Sequence, residues 1–364
     1  MRIRARAAWW PFSTRVARGK SSTNFVIPAR KVFRSVAPFL CYIAPRLTTA
    51  PNLLCLGFAV EIEMRCLIKR LTSQPFFPRP SRLAVRVGIP IIIVTVLGFV
   101  GIRSAELFVT FRPLPYAIDH RWNWVLPPRT EDVWFTTADR VRLNGWFIHS
   151  RQETVTATIL YCHGNSGNLT HVSSQAQKLA EQGFDVLLFD YRCYGRSEWK
   201  LPDERGINHD VAAAYEYLIQ QRGVKPERLV IYGWSLGTTA AIDLAARRPS
   251  GALVVEAGLS SASDMAKIKL PWLPRWLHWV GKNRFASVHK IAQVQCPILV
   301  SHGTHDDVIP VEQGQQLFAA ARQPKEMLLI PGRTHWVAKV EDQIYFHQVT
   351  EFINDSVQRT LAAR

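Results

Sequence analysis

Six short apolar runs constrain this chain more than any other feature: Ala157–Cys162, Asp185–Asp190, Arg228–Tyr232, Ala252–Glu256, Pro297–Ser301 and Glu326–Ile330. Between and after them lie stretches of helical character, over His171–Gln182, Asn208–Gln221, Leu236–Arg247, Val311–Ala321 and Glu341–Gln358. Runs apolar throughout, without alternation, mark strands covered on both faces. Such strands alternating with helices read as a mostly parallel sheet with helices on both sides, an α/β fold. Ahead of them, Val133–Phe135 and Val141–His149 flank an Ala138-Asp139-Arg140 turn. That initial hairpin makes the expected sheet mixed.

One strand-to-helix junction carries chemistry. Val230-Ile231-Tyr232-Gly233-Trp234-Ser235-Leu236-Gly237-Thr238 runs from a strand through a sharp turn into an Ala-rich helix. A serine in such a turn is held in a strained conformation, and only small residues fit two before and two after it. Gly233 and Gly237 meet that need. The turn aims the hydroxyl at a helix N-terminus, where negative charge is favoured. The plainer alternative is a Gly-rich packing turn.

A serine hydroxyl needs a base to become a nucleophile. In a sheet of this kind the order along the chain is serine, acid, histidine. Of the 11 histidines, His278, His289, His302, His305, His335 and His347 follow Ser235. His335 lies in Pro331-Gly332-Arg333-Thr334-His335, just past the last expected strand, where a loop could reach Ser235. His347 falls in mid-helix, and His278 and His289 lie in a variable insertion. The acid that orients the base is Asp306 or Asp307, in the loop after Pro297–Ser301. A metal site built from His302, His305 and these aspartates is disfavoured, because the histidines lack the i,i+4 helical spacing. A tetrahedral intermediate also needs two N–H donors. Leu236 supplies one. The other is expected from Asn165, in the loop His163-Gly164-Asn165-Ser166-Gly167-Asn168. That loop lacks the Gly-Lys-Ser/Thr of a phosphate cradle.

Four segments together carry a family resemblance: His163-Gly164-Asn165, Phe189-Asp190-Tyr191-Arg192-Cys193-Tyr194-Gly195-Arg196-Ser197, the Ser235 turn, and His302-Gly303-Thr304-His305-Asp306 followed by Ile309-Pro310. Over roughly residues 131–355 the chain resembles the α/β-hydrolases of the Bem46-like, ABHD13/ABHD17-like branch, whose members often carry an N-terminal membrane anchor. The resemblance implies Asp306 as the acid and His335 as the base. Two positions depart from the pattern. Cys193 stands where glycine is usual, and Trp234 where arginine is frequent, a change that bears on the pocket.

The net charge of +17 is unevenly spread, because residues 1–86 hold 16 Lys/Arg against 2 acids. A basic arm can bind anionic lipid or nucleic acid, but no nucleic-acid-binding signature accompanies this one. The six cysteines form no C-x-x-C and no disulfide framework, and read as small buried thiols. The arm is read in three ways: as a targeting segment, as a disordered cytoplasmic arm, or as the product of a start chosen upstream of Met64. Val87–Ile102 follows, with no charge between Arg86 and Arg103. Sixteen helical residues reach about 24 Å, short of a hydrocarbon core of roughly 30 Å. Leu83–Val85 and Ser104–Ala105 extend it, and Arg86 and Arg103 can snorkel. The basic flank places the arm in the cytoplasm and the hydrolase domain on the far side.

The expected organisation is therefore a basic arm over 1–83, a single transmembrane anchor over 84–105, a Pro-rich linker over 106–130 and a hydrolase domain over 131–364. A small cap insertion occupies 257–296, and in it Trp272, Trp276 and Trp279 sit amid Lys267, Lys269, Lys282 and Arg284. It reads either as a cap that packs its indoles on the domain or as an acyl-chain lid facing the membrane. The function expected is hydrolysis of esters or thioesters, with lipid-like substrates among them, and with no metal or organic cofactor. The rivals are a serine peptidase with the same residues and a non-catalytic membrane-tethered binding protein. No nucleic-acid partner is expected, and the oligomeric state is left open.

Overall fold

A computed structural model describes residues 87–115, 125–272, 274 and 281–362. Trp276, Trp279, His278, Met64 and the basic arm lie outside the described residues. The strands in chain order are β1 (Arg112–Pro113), β2 (Thr130–Thr136), β3 (Arg142–Ile148), β4 (Ala157–Cys162), β5 (Ser166–Gly167), β6 (Phe184–Phe189), β7 (Leu229–Trp234), β8 (Ala252–Glu256), β9 (Ile298–Gly303) and β10 (Lys325–Ile330). Eight of them form one sheet in the order β10-β9-β8-β7-β4-β6-β3-β2. The hairpin β2–β3 is antiparallel, and β3 joins β6 antiparallel. Every pairing from β6 to β10 is parallel, giving the expected mixed sheet.

The apolar runs become strands because both sheet faces are covered. In β4, Ile159 and Tyr161 face one core, while Leu160 and Cys162 face the other. The same alternation splits β7, with Val230 and Tyr232 on one side and Leu229 and Ile231 on the other, as the period of 2 requires. One face is roofed by the helices Ser173–Glu181 and Gln343–Ala362, the latter burying Tyr345, Val349, Phe352, Ile353 and Ser356 at helical spacing. Helices Glu204–Glu216, Gly237–Ala245, Ser287–Ile291 and Val311–Ala320 roof the other. Both N-terminal glycines of the crossover after β7 are buried against backbone, which brings the next helix close to the sheet.

The apolar helix runs past the end of the apolar run read from the sequence. The apolar helix spans Ile89–Thr110, with a mean hydropathy of 2.0, long and apolar enough to cross a membrane. Pro90 occupies its first turn, where a missing N–H costs nothing. The helix does not stop near 105, because Arg103 and Glu106 neutralise each other across one turn at 2.6 Å. Glu106 also accepts hydrogen bonds from Asn283 N and Nδ2. The segment expected to be linker therefore begins as helix and continues into β1, which pairs with β5.

Candidate active site

The serine turn is built by close contacts that only glycine allows. Ser235 sits at φ +55°, in the left-handed region that costs a non-glycine residue roughly 1–2 kcal/mol. A Cβ on Gly237 would lie 2.1 Å from the Cys162 carbonyl oxygen and 2.5 Å from that of His163. One on Gly233 would lie 2.6 Å from Thr238 Cα. The strain is held by the Ser235 N–H donating to Glu256 O at 2.9 Å and by the Thr238 N–H donating to Ser235 O at 3.0 Å.

The structure brings Ser235, His335 and Asp306 into one chain of hydrogen bonds. His335 Nε2 lies 2.9 Å from Ser235 Oγ, and His335 Nδ1 lies 2.8 Å from Asp306 Oδ2. All three residues are buried. The other Asp306 oxygen accepts the N–H groups of Val308 and Ile309 at 2.9 and 2.8 Å. His302 Nε2 stands 3.2 Å from Asp306 Oδ2 and 2.9 Å from Ile309 O. Burial pushes the Asp306 carboxyl up, but the hydrogen bonds from His302, His335 and the Ile309 N–H outweigh it and hold the group well below the usual carboxylate range. The rival acid, Asp307, is exposed, and its carbonyl accepts from Lys269 Nζ at 2.8 Å. His302 thus serves the acid loop, and exposed His305 meets Thr304 Oγ1 at 3.3 Å.

Leu236 follows the serine in the chain, and a Cβ on Gly164, the residue before Asn165, would lie 3.3 Å from Ser235 Cβ. Among the described residues, neither the Leu236 N–H nor the Asn165 N–H meets a backbone acceptor. The Asn165 carbonyl accepts from Arg112 N at 2.8 Å and from Tyr194 OH at 2.9 Å, which fixes the peptide that follows Asn165 and so holds the residue in place. His163, just ahead, is buried with Nδ1 donating to Gly164 O at 2.8 Å. Its Nε2 stands 3.6 Å from Asp190 Oδ1. Burial pushes the Asp190 carboxyl up to about 8 and the His163 imidazole down to about 4, so at neutral pH the acid is largely protonated and the imidazole neutral. Below about pH 8 the folded chain keeps a proton on Asp190 that the unfolded carboxylate has lost, which lowers stability as pH rises by up to about 1.4 kcal/mol per pH unit. His163, held neutral in the fold, acts in the opposite sense until the unfolded histidine loses its own proton near 6.5, so the net fall lies between about 6.5 and 8. Asp190→Asn removes the titration while keeping an acceptor for Leu169 N–H. The expected outcome is that urea unfolding shows the variant gaining on the wild type between pH 5 and pH 7.5. A stability difference independent of pH would contradict this.

Three further residues support the site, of which the sequence reading singles out Trp234 and Cys193 but not Glu256. Trp234 was expected to bear on the pocket. Instead it is buried beneath the histidine loop, where Nε1 donates to His335 O at 3.3 Å and its ring packs 4.4 Å from that of Trp336. Glu256 ends β8 fully buried and accepts from Ala338 N at 2.9 Å, from Tyr345 OH at 3.1 Å and from Tyr232 OH. It thereby ties the histidine loop to the serine strand, and burial pushes its carboxyl up. An acid closing an otherwise apolar strand was the signal for it. Cys193 adopts φ +69°, which explains why glycine is favoured at that position. A cavity of about 730 Å³ beside helix Glu204–Glu216 is lined by Asn208, His209 and Arg205 and by none of Ser235, His335 or Asp306.

Sheet order, serine turn and strand-end loops define an α/β-hydrolase. Residues 170–360 match the profile of the prolyl oligopeptidase family, and the chain belongs to that family of hydrolases. It is 36% identical over 208 residues to the uncharacterized protein Rv2307c of Mycobacterium tuberculosis, covering 57% of this chain and 73% of that one. It is 32% identical to the uncharacterized YfhR of Escherichia coli K12, covering 62% and 81% of the two chains. Human alpha/beta hydrolase domain-containing protein 17B is 31% identical, covering 55% and 67%. The Pyrococcus furiosus esterase Pf2001 superposes with a TM-score of 0.52 at 21% identity, covering 65% of this chain and 98% of that one, a likeness of fold.

Proposed function

We propose that this chain is a membrane-anchored serine hydrolase that cleaves ester or thioester bonds. The observation that carries the reading is the continuous path from Ser235 Oγ through His335 to Asp306, at 2.9 and 2.8 Å. His335 takes the proton as Ser235 Oγ attacks the acyl carbonyl. Asp306, anionic, orients the imidazole and stabilises its charged form. The N–H groups of Asn165 and Leu236 hold the oxyanion. His335 then protonates the leaving alcohol or thiol, and water, activated by the same base, releases the acid. The chemistry asks for no metal or organic cofactor.

Lipid-like acyl groups fit the surroundings. Val308 beside the acid, Trp336 beside the base, and Ile268, Leu270 and Trp272 of the cap are all exposed, Trp272 at 75%. Lys269 Nζ donates to Asp307 O at 2.8 Å, which brings this end of the cap helix to the acid loop. The exposed helix Ile89–Thr110 supports a membrane anchor, with the basic arm in the cytoplasm and the hydrolase domain opposite. The family match also supports a peptidase using the same residues. Hydrolysis of p-nitrophenyl esters of graded chain length, acyl thioesters and peptidyl nitroanilides separates these readings. The expected result is turnover of esters and thioesters that rises with acyl length and vanishes in Ser235→Ala. Turnover of the nitroanilides alone would favour the peptidase. For topology, protease added outside intact cells is expected to reach the hydrolase domain, and full protection would reverse the orientation.

A further inference from the structure

We propose that the end of the apolar helix and the strap that follows it, Thr110–Pro115, form a positioning element for the oxyanion loop. The inference rests on the serine-hydrolase reading and names what holds one of its two N–H donors in place. Asn165 lies on a short loop between β4 and β5, and its N–H can serve an oxyanion only if the residue is held in place in advance. Two neighbours from the strap do this. Arg112 N donates to Asn165 O at 2.8 Å, and Asn165 Nδ2 donates to Thr110 O at 3.0 Å. Thr110 ends the helix, so its carbonyl lacks a partner within the helix and the Asn165 side chain supplies one.

The strap continues the same way. Leu114 N donates to Gly167 O at 3.0 Å, and Leu114 O accepts from Asn168 Nδ2 at 3.1 Å and from Gly195 N at 3.3 Å. Gly195 follows Tyr194, whose hydroxyl is the remaining donor to Asn165 O. Upstream, the helix end is fixed to the cap segment. Phe111 is buried with its ring 6.1 Å from that of Phe285, and Glu106 binds Asn283 N and Nδ2 at 2.8 and 2.9 Å. The membrane helix and the oxyanion loop are thus joined by direct hydrogen bonds, and a displacement of the helix end is a displacement of Asn165.

The test uses the full chain in detergent micelles or proteoliposomes. Asn165→Ala keeps the backbone N–H and removes only the bond to Thr110. Glu106→Ala releases the helix end at a distance from the reacting atoms, and Glu106→Gln keeps an acceptor for Asn283. With a short soluble ester, kcat is expected to fall about 10- to 100-fold in Asn165→Ala and several-fold in Glu106→Ala, since a misplacement near 1 Å costs about 100-fold. KM is expected to change less than about twofold, and Glu106→Gln to behave like the wild type. Affinity for a trifluoromethyl ketone, whose adduct places an oxyanion in the same hole, is expected to fall by the same factor as kcat. Wild-type kcat in both alanine variants, or a fall in kcat with unchanged ketone affinity, would overturn the proposal. Labelling of the wild type at Ser235 by a fluorophosphonate keeps the two readings apart. If the wild type labels and the variants match it, only the positioning role fails. If the wild type does not label, the hydrolase reading fails and takes this one with it.

Discussion

His335→Ala is expected to lower kcat by about 10⁵- to 10⁶-fold while leaving KM for a soluble ester nearly unchanged. The imidazole makes both bonds of the hydrogen-bonded path, so its removal leaves Ser235 with no base and Asp306 with nothing to orient. Asp306→Asn is expected to cost less, about 10⁴-fold, because the base remains but its tautomer is no longer enforced. The double variant should be no worse than His335→Ala alone, since the residues act as one unit. Stopped-time hydrolysis of a p-nitrophenyl ester measures all three. Additive losses in the double variant would mean that the acid and the base work separately.

Gly237→Ala has the second large effect, on the fold and the chemistry together. Its Cβ would stand 2.1 Å from the Cys162 carbonyl oxygen and 2.5 Å from that of His163, and neither backbone atom can turn aside as a side chain would. The end of β4 must move, and with it the loop that leads to Asn165. Overpacking of this kind costs about 1–3 kcal/mol, and more where backbone must shift. The expected result is a lower urea midpoint and hydrolysis reduced at least about 100-fold per folded molecule. Normal activity in the folded fraction would show that the loop tolerates the displacement.

The centre of the molecule was legible in the sequence because parallel strands buried on both faces must be apolar throughout. Hence β4, β7, β8 and β9 lie within a residue or two of the runs read as strands. The site was legible for a related reason. The strained turn restricts its neighbours to glycine, and the order serine, acid, histidine left few candidates. Periodicity says less about where elements end. Helix Glu204–Glu216 begins four residues before the expected Asn208, because the Asp203 side chain caps it by accepting from Gly206 N at 2.7 Å. The strap was hidden altogether. Pro113 reads as linker, yet in β1 the N–H groups of Arg112 and Leu114 donate to the Asn165 and Gly167 carbonyls and the position between them needs no donor. Trp234 and Glu256 were obscured by long-range contacts, since their partners at 335–338 lie about a hundred residues or fewer away along the chain and meet them only in the folded sheet.

The central claim is that Ser235 is a nucleophile activated by His335. The most direct measurement is the mass of the intact chain after exposure to a fluorophosphonate, with the modified residue mapped by peptide fragmentation. The expected result is one adduct, on Ser235, absent from Ser235→Ala and formed at least about 1,000-fold more slowly in His335→Ala. No adduct on well-folded protein, or an adduct that persists in Ser235→Ala, would contradict the account.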